Sequence, residues 1–451
     1  MVGNLLHTAY NLVDTIWVGR LGPEAVAALS LGFPVIFFLL SLGIGFTIAA
    51  TALVAQHTGA GNPERASQVA GQTVTFVFLV AVVFAAAGYL LTEPILALLG
   101  AEPEVLPLAA DYLRVIFVGV PFMFFAFLFQ AILKGWGDTF TPMLIMAGST
   151  VLNIILDPFL IFGWGFFPRL EVAGAAWATV ISRGLGAAVA VWILFGGQAG
   201  FRITLQNLAP DLSVIRRIVR IGLPAAAEQS MTSLGIAFMT GTVAVFGTMT
   251  LAAYGIVNRV FSLVVMPSMG LAGACTTLVG QNLGAGRPDR AEHTTWLTTG
   301  LAGGILLVAG AVVYLVPGPI VAIFNDHPEV LEHGTAYLTI LALSFPFAGG
   351  RFIVNGAFRG AGRTVPAMIN SFLSLWILRL PLANFLAHVV GWGTEGLWWG
   401  MTLANVGGFL AAAFWFRLGT WKTAVIDEQA QDPEGQEEGP LRTQAADARV
   451  D

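Results

Sequence analysis

Residues 49–66 read Ala49-Ala-Thr-Ala-Leu-Val-Ala-Gln-His-Thr-Gly-Ala-Gly-Asn-Pro-Glu-Arg-Ala66, and residues 274–291 read Ala274-Cys-Thr-Thr-Leu-Val-Gly-Gln-Asn-Leu-Gly-Ala-Gly-Arg-Pro-Asp-Arg-Ala291. Eleven of these eighteen positions are identical at an offset of 225 residues. Without a gap the same offset pairs Pro103-Glu-Val-Leu106 with Pro328-Glu-Val-Leu331, Pro121-Phe122 with Pro346-Phe347, and Gly135 and Gly137 with Gly360 and Gly362. The chain is therefore a tandem duplication. Each copy of the quoted stretch is an apolar run that stops at Gly-x-Gly and restarts at Pro, which suits the end of one helix and the first turn of the next. A phosphate-binding reading of Gly-x-Gly fails, because no strand precedes it and neither a third glycine nor a Walker lysine follows.

The apolar runs belong to a membrane protein. Of 451 residues, 56% are hydrophobic and 10% charged, whereas a soluble domain carries about a quarter charged residues. Runs of the length that crosses hydrocarbon fall near 2–19, 29–55, 67–91, 107–133, 140–163 and 171–196, and again near 219–246, 254–280, 292–316, 333–358, 364–388 and 395–418. The expected fold is an all-α membrane protein of about twelve helices in two homologous six-helix bundles. An even number of spans per copy gives both halves the same orientation, with a pseudo-twofold axis along the membrane normal and a cavity between lobes that rock in transport. Residues 1–196 and 218–418 form the expected lobes, 197–217 a cytoplasmic linker, and 419–451 an acidic, polar, disordered tail.

Lys and Arg set the orientation. Loops after even-numbered spans carry Arg65, Lys134, Arg202, Arg216, Arg217, Arg220, Arg287, Arg290, Arg359 and Arg363, against mainly Arg20, Arg169 and Arg259 on the other side. Both termini are expected in the cytoplasm of a multi-pass plasma-membrane protein. The second half opens with Arg216-Arg-Ile-Val-Arg-Ile-Gly-Leu-Pro224, whose counterpart under the offset would precede Met1, so a basic lead-in to the first helix is expected upstream. The lone Cys275 reads as packing, with no disulfide framework or cysteine metal site available.

The chemistry lies in a few intramembrane charges. Asp14 falls in the outer part of the first span and Asp157 in the fifth. A carboxylate at the centre of a span costs about 2.5–3.5 kcal/mol, so it normally faces a polar cavity and has a task. Asn153 and Asp157 are four apart, on one helix face, offering an amide and a carboxylate to a single cation. Pro158 frees backbone beside them. Oxygen ligands suit Na⁺, and a desolvated carboxylate suits H⁺. A plain helix–helix hydrogen bond is the bland alternative for Asn153. The offset sets Asp14 opposite Met239 and Asp157 near Leu380-Pro381, so the cation site is expected in the first lobe only. Glu228, early in the seventh span, reads equally as a site residue or as an interfacial side chain. His7 reads as a cavity-lining polar group. Arg183, Arg351 and Arg379 sit within or near spans, where they read as partners of acids or of substrate, although an Arg near a helix end more often snorkels.

At these residues the sequence resembles the multidrug and toxic compound extrusion (MATE) family, within it the DinF-like prokaryotic and archaeal branch. The resemblance rests on Tyr10-Asn-Leu-Val-Asp-Thr15 with Val18-Gly-Arg-Leu-Gly22, on both Gln-x-x-Gly-Ala-Gly-x-Pro loops, on Lys134-Gly-Trp-Gly-Asp-Thr-Phe-Thr-Pro142 and on Asn153-Ile-Ile-Leu-Asp-Pro158. It covers nearly the whole chain except the tail. It implies a V-shaped monomeric antiporter exporting cationic or amphipathic organic compounds in exchange for Na⁺ or H⁺, with no other cofactor. The first-lobe cation site it implies comprises Asp14, Asn153, Asp157 and Thr179, with Tyr112 and Gln130 as nearby cavity residues. The second-lobe coupling acid of some relatives has no counterpart in the tenth span. A lipid or lipid-linked oligosaccharide flippase of the same superfamily is the alternative, disfavoured by twelve spans and first-lobe acids. An enzyme is not expected, because six scattered histidines supply no catalytic cluster.

Overall fold

A computed structural model describes residues 16–165, 167–197, 200 and 202–426, and among them there are helices and connecting turns but no strand. The first copy of the repeat contributes α1 (Pro23–Gly59), α2 (Pro63–Leu90), a short α3 (Thr92–Leu98), α4 (Leu106–Trp136), α5 (Phe140–Phe162) and α6 (Glu171–Gly196). The second contributes α7 (Leu212–Ala244), α8 (Thr248–Gly284), α9 (Pro288–Leu315), a short α10 (Pro317–Ala322), α11 (Pro328–Ala342), α12 (Phe345–Gly360), α13 (Thr364–Val389) and α14 (Gly393–Arg417). Even the short helices recur in order. Residues 16–19 are the described end of the first predicted span; His7 and Asp14 lie outside the described residues, as does the tail from residue 427.

Nine described helices are long and apolar enough to cross a membrane, and α11 with α12 forms a tenth span bent by 55°. Helix α7 has 33 residues, enough to cross, but Arg216, Arg217, Arg220 and Glu228 dilute its hydropathy. Helices α1 and α8 run 37 residues each, about 55 Å at 1.5 Å per residue. They start well before the apolar runs predicted at 29 and 254, and they project beyond a hydrocarbon layer of about 30 Å.

Two predicted spans are not the continuous helices expected. The run at 333–358 breaks between Ala342 and Phe345, where the Ser344 hydroxyl donates to the Leu341 carbonyl at 2.8 Å and Pro346 opens the next helix. Its repeat mate Pro121 lies inside an unbroken α4, and the position matching Ser344 is Gly119, which has no hydroxyl to end the first segment. Within α13, π-helical stretches at Leu373–Arg379 and Phe385–Val389 flank Pro381. A proline cannot donate to the ladder, and the widened turns absorb the mismatch.

The recurrent loops do more than turn the chain. Gln56 Nε2 donates to the Gly360 carbonyl at 3.1 Å, and its Oε1 accepts from the Val425 N–H at 2.9 Å. Its mate Gln281 donates to the Gly135 and Trp136 carbonyls at 3.2 and 3.4 Å. Each glutamine thus reaches into the other lobe and caps the corresponding helix end. Gly59 lies against the backbone of Gln281 and Gly284 against that of Gln56, so closely that a Cβ at either would overlap it. Further along the same seam, Gly45 packs on the Ala226 backbone and Gly222 on Phe46. The segment between the lobes is held to α2: Gln72 Nε2 donates to the Asn207 carbonyl at 2.8 Å, and Gln72 Oε1 accepts from the Asp211 N–H at 2.7 Å. Asp211 caps α7 through the Ser213 N–H at 2.9 Å.

Candidate functional site

In the first lobe Asn153 and Asp157 are both fully buried on one face of α5. Asn153 Nδ2 donates to Asp157 Oδ1 at 3.3 Å, and among the described residues no donor reaches the buried Asn153 Oδ1. Pro158, the next residue, cannot complete the helical bond to the Ile154 carbonyl. The neighbouring α6 runs antiparallel to α5. Its register is fixed at one end by the Ser149 hydroxyl donating to the Ser182 carbonyl at 2.8 Å and at the other by Gly174 against the Leu160–Ile161 backbone. This register sets Thr179 level with Asn153. Thr179 is buried, and its hydroxyl donates to the Ala175 carbonyl at 3.0 Å. The register therefore sets Thr179 at the level of Asn153, with Asp157 one turn further along α5. A carboxylate, an amide oxygen and a hydroxyl are oxygen donors suited to a hard cation or to sharing a proton.

The two expected cavity residues separate. Tyr112 is buried near the start of α4, its ring against Gly32 of α1. Gln130 lies 18 residues further along the same helix, about 27 Å at 1.5 Å per residue. Gln130 lines a cavity between α4, α5 and α6 together with Ala126, Pro142, Met146, Thr150 and Arg183. Its amide points at the Met146 sulfur at 3.9 Å. Tyr112 does not line that cavity, and the cavity lies about one to three turns along α5 from Asn153 and two to four from Asp157.

Glu228 is enclosed by protein. It is buried in the second lobe, where Oε1 accepts from Arg359 Nη2 at 2.6 Å and from the Ser371 hydroxyl at 2.8 Å, and Oε2 accepts from Arg359 Nε at 3.2 Å. This two-pronged ion pair ties α7 to α12 and α13. Arg351 and Arg379 do not snorkel: both are half-buried inside the same bundle. Arg379 Nη2 donates to Asn405 Oδ1 at 3.0 Å, and Asn405 Nδ2 donates to the Ser344 hydroxyl at 3.0 Å. Sequence reading singled out these arginines without their surroundings. The missed signal was the repeat itself, which pairs Ala126 of the first-lobe cavity with Arg351 and Gln130 with Asn355.

Two lobes of one plan, an oxygen-rich buried acid in the first, and symmetric closure between them describe a transporter, and the sequence comparison agrees. Residues 1–159 and 224–385 match the MatE family. The chain belongs to this family. Among its MATE relatives, the probable multidrug resistance protein YoeA of Bacillus subtilis (strain 168) is 33% identical over 96% of this chain and 94% of its own. The probable multidrug resistance protein NorM of Thermotoga maritima is 30% identical over 94% and 92%. A crystal structure of MATE in the bent conformation superimposes with a TM-score of 0.87 at 26% identity, covering 94% of each chain. This MATE chain is thus a multi-pass membrane protein of a transporter family.

Proposed function

We propose that this MATE protein is a multidrug exporter of the plasma membrane that moves cationic or amphipathic organic compounds outward in exchange for Na⁺ or H⁺. The observation that carries the reading is the buried Asn153–Asp157 pair on α5, with Thr179 level with it on α6. Burial of that carboxylate is costly, about 2.5–3.5 kcal/mol for an acid in mid-span, and a cation or proton offsets the cost only while it is bound. Binding therefore biases the lobe between two arrangements, which is what coupling requires. The multidrug names of the two relatives support this substrate class over the lipid-linked flippase reading. Asp14 joins the site in this proposal as a second carboxylate.

In this reading both termini are cytoplasmic, which the excess of Lys and Arg in the loops after even-numbered spans supports. The Gln56 and Gln281 contacts then close the cytoplasmic end, and their separation is the step that admits drug from inside. One chain contains both lobes, so a monomer suffices.

Ethidium efflux from proteoliposomes, driven by an imposed Na⁺ gradient or an imposed pH gradient, tests the reading. Wild type is expected to respond to one gradient and Asp157→Asn to neither. Efflux by Asp157→Asn at the wild-type coupled rate removes the first-lobe site from the mechanism, and no efflux by wild type under either gradient returns weight to the flippase.

A further inference from the structure

The repeat that places a cavity in the first lobe also marks its counterpart in the second. Under the offset Ala126 and Gln130 pair with Arg351 and Asn355; after the one-residue deletion before Pro366, Met146 and Thr150 pair with Asn370 and Ser374. Gly396 packs on the Leu386–Ala387 backbone as Gly174 packs on Leu160–Ile161, and this register sets Asn405 where the first lobe has Arg183. Ala126 and Met146 thus give way to the polar Arg351 and Asn370, whereas Arg183 gives way to the neutral Asn405 and the lining Ser149 to Leu373, so the cation of this region moves from α6 to α12.

We propose that the interior of the second lobe, around Arg351 and Arg379, binds the carboxylate or phosphate group of an amphipathic molecule.

The charge count points to this ligand chemistry. Arg351, Arg359 and Arg379 face one another across α12 and α13, with Glu228 the only carboxylate among the described residues whose charge reaches Arg351. Glu228 is already engaged: its two oxygens accept three hydrogen bonds from Arg359 and Ser371. Neither Arg351 nor Arg379 forms an ion pair among the described residues. Among the described residues the buried Nε atoms of both find no acceptor and Arg351 makes no hydrogen bond, its guanidinium lying 5.6 Å from the Phe352 ring. Its stem is fixed against Gly408 of α14. Arg379 ends a π-helical stretch and is oriented by the Asn405–Ser344 chain, which uses Nη2 and leaves Nε open. Two planar forks fixed on separate helices, each with an unused donor, suit the oxygens of one anion. Aromatic and aliphatic neighbours suit the remainder of an amphipathic ligand.

The inference concerns binding and extends the exporter reading to a second substrate charge, so its test is independent of coupled transport. The purified full chain is reconstituted in nanodiscs of phosphatidylcholine, and two dyes of one ring system are titrated by fluorescence anisotropy, the anion fluorescein and the cation rhodamine 123. Fluorescein is expected to bind wild type. Arg351→Gln and Arg379→Gln should each weaken it by about tenfold, the loss of one charge-assisted contact, while Arg351→Lys retains part of the affinity and rhodamine 123 binding is unchanged in all three. Repeating the titration with phosphatidylglycerol in the disc separates two sources of the anion. Competition in wild type but not in Arg351→Gln identifies a lipid headgroup, and no competition identifies a transported organic anion. Absent binding of fluorescein to wild type overturns the proposal, as does equal binding by wild type and both glutamine variants. Loss of both dyes together in all three variants also overturns it, because the arginines are then structural. Failure here leaves the Asp157 efflux test untouched, and the converse holds.

Discussion

In the first lobe the inner face of α5 carries Asn153 and Asp157; the matching positions of α13 in the second lobe are Ile377 and Pro381. There the polar groups have moved to α12 and to the π-helical stretch of α13, and they are arginines with a single paired acid. One backbone plan, copied by duplication, thus encloses two interiors with different polar groups. The helix scaffold is held by apolar burial and glycine contacts, which tolerate any interior that is locally satisfied. Duplication fixed the geometry and left the interiors free to diverge.

The largest expected effect separates the two acids by role. Glu228→Gln breaks a buried pair and leaves Arg359 partly stranded; because that guanidinium side chain is 26% exposed, the loss should fall at the low end for such pairs, about 3 kcal/mol. Asp157→Asn keeps the size and polarity of the side chain and should shift stability by about 1 kcal/mol while ending coupled efflux. Thermal unfolding followed by tryptophan fluorescence in detergent measures both. Equal losses of stability would erase the distinction between a structural acid and a working one.

The next test concerns the seam where the lobes are alike. Gly59→Ala and Gly284→Ala each push a methyl into the other repeat's glutamine backbone. Overpacking of this kind costs about 1–3 kcal/mol, all of it charged to the closed arrangement. Spin labels on the two Gly-Ala-Gly loops should report a longer distance in both variants. A change in only one would show that the closure is less symmetric than its contacts.

Replacing the glutamines probes the same seam more gently. Gln56→Leu leaves the Gly360 carbonyl and the Val425 N–H without partners, and Gln281→Leu leaves only the Gly135 and Trp136 carbonyls. At about 1–3 kcal/mol for a buried group left unsatisfied, Gln56→Leu should be the costlier of the two in the unfolding assay. The order reverses if the Val425 contact contributes nothing.

The smallest effect lies in a loop where the copies differ. Asp138 caps α5, accepting from the Phe140 and Thr141 N–H groups at 2.9 and 3.0 Å, whereas the second lobe has Arg363 at this position. Burial works against the ionised carboxyl, but hydrogen bonds from the Thr141 hydroxyl and from both N–H groups outweigh it and hold its pKa below the usual carboxylate range. A lowered folded-state pKa means that the cap is fully present above the unfolded value and is lost as pH falls through the folded one. Asp138→Ala should cost about 0.5–2 kcal/mol at neutral pH and progressively less below about pH 4. A loss that does not shrink in acid would place the effect in packing.

Much of this was legible in the sequence. Hydropathy gave the spans and the repeat gave two lobes, because bilayer thickness and helix pitch leave few alternatives to a long apolar run. Asn153 and Asp157 were legible for the same reason: a spacing of four puts two side chains on one helix face wherever the helix goes. Less was legible in Glu228, which read equally as interfacial because its partner Arg359 is 131 residues away. Tyr112 and Gln130 were expected together and stand about five turns apart on α4. The break before Pro346 was missed because Pro121, its mate, breaks nothing.

By itself, then, the sequence determined the membrane environment, the twofold plan and the helix face that carries the first-lobe pair, since each follows from periodicity along one chain. Only the tertiary structure decided that the Gly-Ala-Gly loops fasten one lobe to the other, that Glu228 belongs to Arg359, and that neither Arg351 nor Arg379 forms an ion pair among the described residues. Those are choices of partner between helices far apart in the chain. Side-chain reach and packing register settle them, and neither is written in any local pattern.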